Sequence, residues 1–515
     1  MRQPAGEKGR TEEENPFDVM LHAVIQFRSW SHFVIVVKYH SMINIAFIVF
    51  NYYYINKILG DSMSSKTVDL TKGSLLAHLR KLAIPASTGA FFNTMYNVVD
   101  TFWAGQLSTD SLAALSINFP MYMLIMSLGV GFSGAAGALI SNAIGAGNER
   151  GARTYLSKII TIALASFILA GTVLFFFLDD IFILLNSEGA VLTGAVSYAR
   201  IIIFGMPIIN LAYVFSAALA ARGDTVSYRN ALIAGFVLNI GLDPLFMYVF
   251  GMQEAGVALA TVTIQIITSI YLLSRIWKSG GFKGIKRPDF IPDLKAVCEI
   301  LGQAIPATMN FLTMAVGTFV ITWFISAFGR NPVAAYGAAV RVEQIALVPS
   351  SGLNMALASL VGQNNGAGNM ERVKKSFKLS LLAGLGMMVI ILPPVLIFGK
   401  HLIGLFTETE EVVRMGYNYL LLQGFTFYSY IILFQSNSLL QGLKKPAMIM
   451  WMGLYRQIAA PAAVFYLLCF TFGMAERGVW TGLIFINWSA AVITLIWAVH
   501  VLRQKEKDKI ISQIL

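Results

Sequence analysis

From residue 79 onward the chain alternates between long apolar stretches and short polar connectors rich in lysine and arginine. About 20 apolar residues of helix cross a bilayer. Stretches of that length fall at 79–106, 111–144, 156–178, 191–221, 227–250, 255–278, 296–328, 332–364, 376–399, 412–442, 446–472 and 478–502. The pattern predicts an all-α membrane protein with twelve transmembrane helices. Its longest connector, between Lys278 and Lys295, divides them into two sets of six.

The two sets repeat. A shift of 221 residues brings Ala83-Ile84-Pro85-Ala86 onto Ala304-Ile305-Pro306-Ala307 and Gly145-Ala146-Gly147-Asn148 onto Gly366-Ala367-Gly368-Asn369 with no gap between. In the same register Gly131, Ala135 and Leu139 meet Gly352, Ala356 and Leu360. An even number of helices per copy gives both copies the same orientation. The pseudo-twofold axis then runs along the membrane normal, with a cavity expected between two six-helix lobes. The organisation expected is an N-terminal lobe over 63–280, an inter-lobe loop over 281–295, a C-terminal lobe over 296–502 and a tail over 503–515.

Composition agrees with the pattern: 56% of residues are hydrophobic and 13% charged, with a mean hydropathy of +0.67. A soluble globular chain is excluded. The net charge of +11 does not point to nucleic acid, because the basic residues lie in the connectors, where they report orientation. Lys72, Arg80, Arg150, Arg153, Lys158, Arg222, Arg275, Lys278, Arg372, Lys374, Lys444, Lys445 and Arg503 fall at one membrane face. The other face holds four, Arg330, Lys400, Arg414 and Arg477, among acids such as Asp179, Glu188 and Glu410. The positive-inside rule places both termini in the cytoplasm. Cys298 and Cys469 sit in separate apolar stretches, so no disulfide or thiolate metal site is expected.

Residues 1–62 read as an N-terminal extension. Ser41–Leu59 is apolar, and two readings stand: an extra membrane helix, or sequence upstream of a translation start at Met63. The second is preferred, because codons for Gly60-Asp61 can spell a purine-rich ribosome-binding sequence, and because an extra helix would carry Arg2, Lys8, Arg10, Arg28 and Lys38 to the outside. A chain begun at Met63 is expected to insert and to transport.

Acids inside the membrane are the candidate chemistry. Asp100 lies in the first helix with Asn93, Tyr96 and Asn97 around it, and Pro85 in the same helix removes a backbone donor and provides a bend. A carboxylate at that depth costs about 3 kcal/mol on insertion scales, so it is retained where it faces a protected cavity. In the fifth helix Asn239 and Asp243 are four residues apart, hence on one face, and Pro244 follows. Thr261 in the sixth helix adds a hydroxyl. Two carboxylates, an amide and a hydroxyl suit a proton or Na⁺; the alternative is that Asp243 ties helices together through hydrogen bonds. The C-terminal half carries Arg341 and Glu343 in its second helix and Arg456 in its fifth. Glu343 is expected to pair with one of the arginines, with substrate or proton handling as the second reading. The GAGN sequences read as helix ends without chemistry.

With NVVDTFWAGQLSTDSLAALS in the first helix, NIGLDP in the fifth and the paired GAGN ends, the chain from about Leu70 onward resembles the multidrug and toxic compound extrusion family. It looks most like the branch of the DNA-damage-inducible protein. The resemblance implies that Asp100, Asn239, Asp243 and Thr261, with Tyr96 one turn from Asp100, form the cation site of the N-terminal lobe, with Na⁺ as one possible occupant. A second branch uses acids in helices seven and ten; here those places hold Met314 and Tyr430. The function implied is a cation-coupled multidrug antiporter, driven by H⁺ or Na⁺, that exports amphiphilic, often cationic compounds. A plasma-membrane, monomeric transporter in contact with lipid, needing no cofactor, is expected.

No G-x-x-x-x-G-K-[ST] loop and no H-E-x-x-H cluster occurs, so neither an ATP-driven pump nor a zinc enzyme is read. A lipid-linked precursor flippase of related architecture is the alternative. It is expected to line its cavity with basic residues, whereas Asp100 and Asp243 are acidic. The 22 methionines and 36 phenylalanines suit a cavity that adapts to varied apolar ligands.

Overall fold

The computed structural model describes residues 68–184 and 188–514. Ser41–Leu59 and the proposed start at Met63 lie outside them. Twelve membrane passages are present among the described residues. In the N-terminal lobe they are α1 Leu75–Leu107, α2 Thr109–Gly145, α3 Glu149–Phe176, α4 Gly189–Ala221, α5 Val226–Val249 and α6 Glu254–Lys278. In the C-terminal lobe they are α7 Leu294–Ser326, α8 Arg330–Gly366, α9 Met370–Ile397, α10, α11 Ala447–Thr471 and α12 Glu476–Ile514. Among the described residues ten helices are long and apolar enough to cross a membrane unaided by context. The other two passages are α1, which carries the polar candidates, and α10, which is interrupted at Gly424-Phe425 between Glu410–Gln423 and Thr426–Gly442. Helix α12 continues through the expected tail without a break.

The internal repeat governs the backbone in detail. The bounds of α2, α3 and α4, at 109–145, 149–176 and 189–221, recur after 221 residues as 330–366, 370–397 and 410–442. Both α5 and α11 finish in a π-helical turn, Leu245–Val249 in one and Tyr466–Thr471 in the other. The second turn is one residue longer, so the shift beyond it is 222. Gly256 accordingly packs on the backbone at Met247 as Gly478 packs on Cys469. Each GAGN ends a helix as expected, with Gly147 at φ 72° and Gly368 at φ 67°. The asparagine has a task the sequence reading missed: Asn148 and Asn369 cap the next helix, accepting from Gly151 N at 2.7 Å and Arg372 N at 3.2 Å.

The lobes meet along a symmetric seam. Helix α1 packs on α8 as α7 packs on α2, and α2 crosses α8. Glycines allow the approach, because a Cβ at Gly131 would strike Thr308 and the Ala304 carbonyl, and one at Gly352 would strike Ser87 and the Ala83 carbonyl. At the basic end the inter-lobe loop is fastened to α3 by Arg150–Asp289 (2.7 Å) and Lys158–Asp293 (2.7 Å). Tyr155 donates to Glu299 at 2.7 Å, and Glu299 also takes Lys444 at 2.5 Å. The acidic end carries one cation more than the four expected, since Arg200, inside α4, reaches Asp179 at 3.4 Å.

Candidate cation site of the N-terminal lobe

Helix α1 connects the seam to the candidate site. Its first half, through Leu79, Leu82 and Ala83, packs against Leu353, Ala356 and Leu360 of α8, and Ser87 donates to the Pro349 carbonyl at 2.8 Å. Pro85 lies in this stretch, inside a helix that continues to Leu107. Three to four turns further on, Tyr96 and Asp100 turn inward against α5 and are buried.

Asn239 and Asp243 are fully buried on the facing side of α5. The Asn239 amide nitrogen donates both of its hydrogens, to Asp100 Oδ1 at 2.8 Å and to Asp243 Oδ1 at 3.0 Å. One amide therefore joins the two acids that sequence reasoning placed together. Around them the buried oxygens Tyr96 Oη, Asn239 Oδ1, Asp243 Oδ2 and Thr261 Oγ1 lack a well-formed hydrogen bond, although the Tyr96 and Thr261 hydroxyls face each other, as do the two carboxyl groups. A buried polar atom left unpaired costs about 1–3 kcal/mol. These oxygens, on three neighbouring helices, make a candidate site for a small cation. Two charged carboxylates sharing one amide in low dielectric repel each other, and a proton on one of them or a cation between them relieves that repulsion. The donor set, all oxygen, is of the kind that H⁺ or Na⁺ satisfies.

Pro244 directly follows Asp243, and the helix widens into the π turn at Leu245. Such turns inside α-helices often mark functional sites. Asn93 and Asn97 do not join the cluster: Asn97 is exposed and donates to the Asn93 carbonyl at 3.1 Å. Two residues were missed by the sequence reading. Tyr122 of α2 and Tyr198 of α4 lie within electrostatic range of Asp100. The repeat held the signal for them, since after 221 residues Tyr122 and Tyr198 become Glu343 and Tyr419, a pair that is bonded in the other lobe.

The C-terminal lobe has no copy of the acid site. Asp100, Asn239 and Asp243 correspond at 221 to Ile321, Ala460 and Val464, and Thr261 corresponds at 222 to Leu483. Ile321, Ala460 and Leu483 belong to that lobe's hydrophobic core.

The expected ion pair of Glu343 is corrected by the structure. Glu343 is buried and accepts from the Tyr419 hydroxyl at 3.3 Å, while its Oε1 has no partner. Arg341, two residues away and so on a different face of α8, is exposed and lies over the Phe406 ring at 5.5 Å. Arg456 donates to Asn487 Oδ1 at 3.1 Å and lies 5.8 Å over the Tyr430 ring. Both arginines make their contacts away from Glu343, and among the described residues no salt bridge includes Glu343. The variant Glu343→Gln is therefore expected to keep the folded yield of the parent, since the amide still accepts from Tyr419 and no cation is orphaned. Monodisperse yield after detergent extraction checks this; a collapse in yield would restore the ion pair.

Comparison with known proteins places this architecture. The family model MatE matches residues 85–245 and 306–467, one copy in each lobe. The probable multidrug resistance protein YoeA of Bacillus subtilis (strain 168) is 24% identical over 388 residues, covering 73% of this chain and 83% of that protein. The multidrug export protein MepA of Staphylococcus aureus (strain MSSA476) is 24% identical over 346 residues, covering 67% and 76%. A solved structure described as the outward-facing conformation of a multidrug resistance MATE family transporter of the MOP superfamily superposes with a TM-score of 0.80. It covers 87% of this chain and 100% of its own, at 24% identity, and so speaks for the fold. Two tandem MatE copies on twelve membrane passages leave one conclusion: the chain belongs to the multidrug and toxic compound extrusion (MatE) family, whose members are membrane transporters and not enzymes.

Proposed function

We propose that the chain is a cation-coupled antiporter that exports amphiphilic, often cationic organic compounds across the plasma membrane, with its basic end and both termini in the cytoplasm. The observation that carries this reading is the Asp100–Asn239–Asp243 cluster, buried in one lobe only, in which one amide joins two carboxyl groups beside the buried Tyr96 and Thr261 hydroxyls. Neutralising the acids with H⁺ or Na⁺ changes the charge of the surface that α1 presents to α5. Because α1 also packs on α8, an ion that binds one arrangement of the lobes better than the other shifts the population between them. Relatives described as multidrug resistance and multidrug export proteins support the substrate class. A lipid-linked precursor flippase is disfavoured, since the buried charges facing each other at this site are acidic.

The test is efflux of a fluorescent lipophilic cation in inverted vesicles containing the purified chain, with a pH gradient or a Na⁺ gradient imposed separately. Uptake into the vesicle driven by one of the two gradients is expected, and it identifies the ion. Uptake indifferent to both gradients would sink ion coupling.

A further inference from the structure

We propose that Asn142 and Gln363 form a paired latch that holds the basic end of the molecule shut and is released once in every transport cycle. The two residues are related by the 221 shift, and so are the groups they hold. Asn142 of α2, in the N-terminal lobe, donates to the Gly442 carbonyl of α10 at 2.9 Å; Gln363 of α8, in the C-terminal lobe, donates to the Ala221 carbonyl of α4 at 2.7 Å. Each amide thus crosses the seam to the last residue of the corresponding helix in the opposite lobe. Both are buried, Gln363 to 1% exposure and Asn142 to 8%.

The oxygens of the two side chains serve closure as well. Gln363 Oε1 accepts from Leu70 N at 2.9 Å, and Asn142 Oδ1 accepts from the Asn365 amide across the seam. Asn142 also donates to the Ala138 carbonyl one turn back at 2.7 Å. Leu70 belongs to a strap ahead of α1 that the C-terminal lobe grips through its backbone, with Asn364 and Arg372 both donating to the Leu70 carbonyl at 3.2 Å. The strap is also tied to its own lobe, where Val68 N donates to the Arg222 carbonyl at 3.1 Å.

What makes this a latch is the choice of acceptors. The last carbonyls of a helix have no partner within the helix. When the lobes are together the opposing amides satisfy them, and when the lobes part water does so. Opening exchanges one set of partners for another and leaves no buried carbonyl orphaned. A bond to a mid-helix carbonyl would offer no such exchange.

The inference rests on alternating access in the proposed antiporter, and its test needs neither substrate nor gradient. The probe is a membrane-impermeant maleimide applied to inverted vesicles. The chain carries Cys298→Ser and Cys469→Ser together with the reporter Ser141→Cys, a fully buried position facing Gly362 at the α2–α8 crossing. Asn142→Leu and Gln363→Met, each alone, are expected to raise the labelling rate at least roughly five- to tenfold, and further together, since each variant removes two of the hydrogen bonds made on closure. Gln363→Glu keeps an acceptor for Leu70 but offers Ala221 no donor, and is expected to do the same. Unchanged or slower labelling in variants that elute as folded protein would overturn the latch, as would faster labelling only in right-side-out vesicles. Faster labelling in a chain that ignores both ion gradients would leave the latch standing and remove the coupling mechanism instead.

Discussion

Asp100→Asn is expected to abolish gradient-driven efflux while the protein still folds and inserts. The Asn239 amide donates to Asp100 Oδ1, and an asparagine oxygen in that place accepts the same bond, so the packing of α1 on α5 survives. What disappears is the group proposed to take up and release the coupling ion. Asp243→Asn is expected to behave alike, because its Oδ1 rests on the same amide. Residues that act as one unit lose nearly everything at the first substitution. The double variant is therefore expected to transport hardly less than either single one, with each below about a tenth of the parent rate. Ile321, the counterpart of Asp100 in the other lobe, supplies the control. It is buried in an apolar core, and Ile321→Val costs about 0.5–1.5 kcal/mol of packing with no chemistry attached. The measurement is initial rate of uptake into inverted vesicles per folded molecule. Retention of the parent rate in both asparagine variants would show that coupling lies elsewhere.

How far the sequence revealed this arrangement depends on the kind of signal. Asp100, Asn239 and Asp243 were legible because a carboxylate in an apolar helix is costly and therefore conspicuous, and because a spacing of four puts two side chains on one face. The architecture was legible for a related reason: an ungapped repeat over two helices implies the same fold twice, and it reappears in helix bounds, π turns and close contacts. Glu343 shows where such reasoning fails. Burial announces that a charged residue needs a partner, but spacing along the chain does not reveal which groups a neighbouring helix presents. Tyr419 and Asn487 took the places assigned to ions. The latch was invisible for the opposite reason, since Asn142 and Gln363 are neutral residues of different length and no local pattern marks them. GAGN drew notice as a marker of the repeat and as a helix end. Its first glycine, whose φ is ordinary, has the larger structural consequence.

That glycine carries the second large effect. Where α2 crosses α8, a Cβ at Gly145 would land on the Gln363 carbonyl, and one at Gly366 would land on the Asn142 carbonyl. The obstacles are backbone atoms of a rigid helix, which cannot swing aside as a side chain can, so even a methyl group forces the helices apart. Overpacking of this kind costs about 1–3 kcal/mol per site, and here the cost is specific to the closed arrangement, since parted helices have room. Gly145→Ala and Gly366→Ala are each expected to favour the open basic end strongly, to speed labelling of a cysteine at position 141, and to reduce net efflux well below half, because one of two alternating states becomes hard to reach. Equal effects are expected from the two sites, as the symmetry of the crossing requires. Gly137, two turns earlier in α2, has open space where its Cβ would go. Gly137→Ala is expected to be neutral or slightly stabilising through helix propensity, by up to about 1 kcal/mol. Efflux and labelling assays on the three variants side by side decide the matter: parent-level transport in both Gly145→Ala and Gly366→Ala would mean that the crossing need not close this tightly for the cycle to turn.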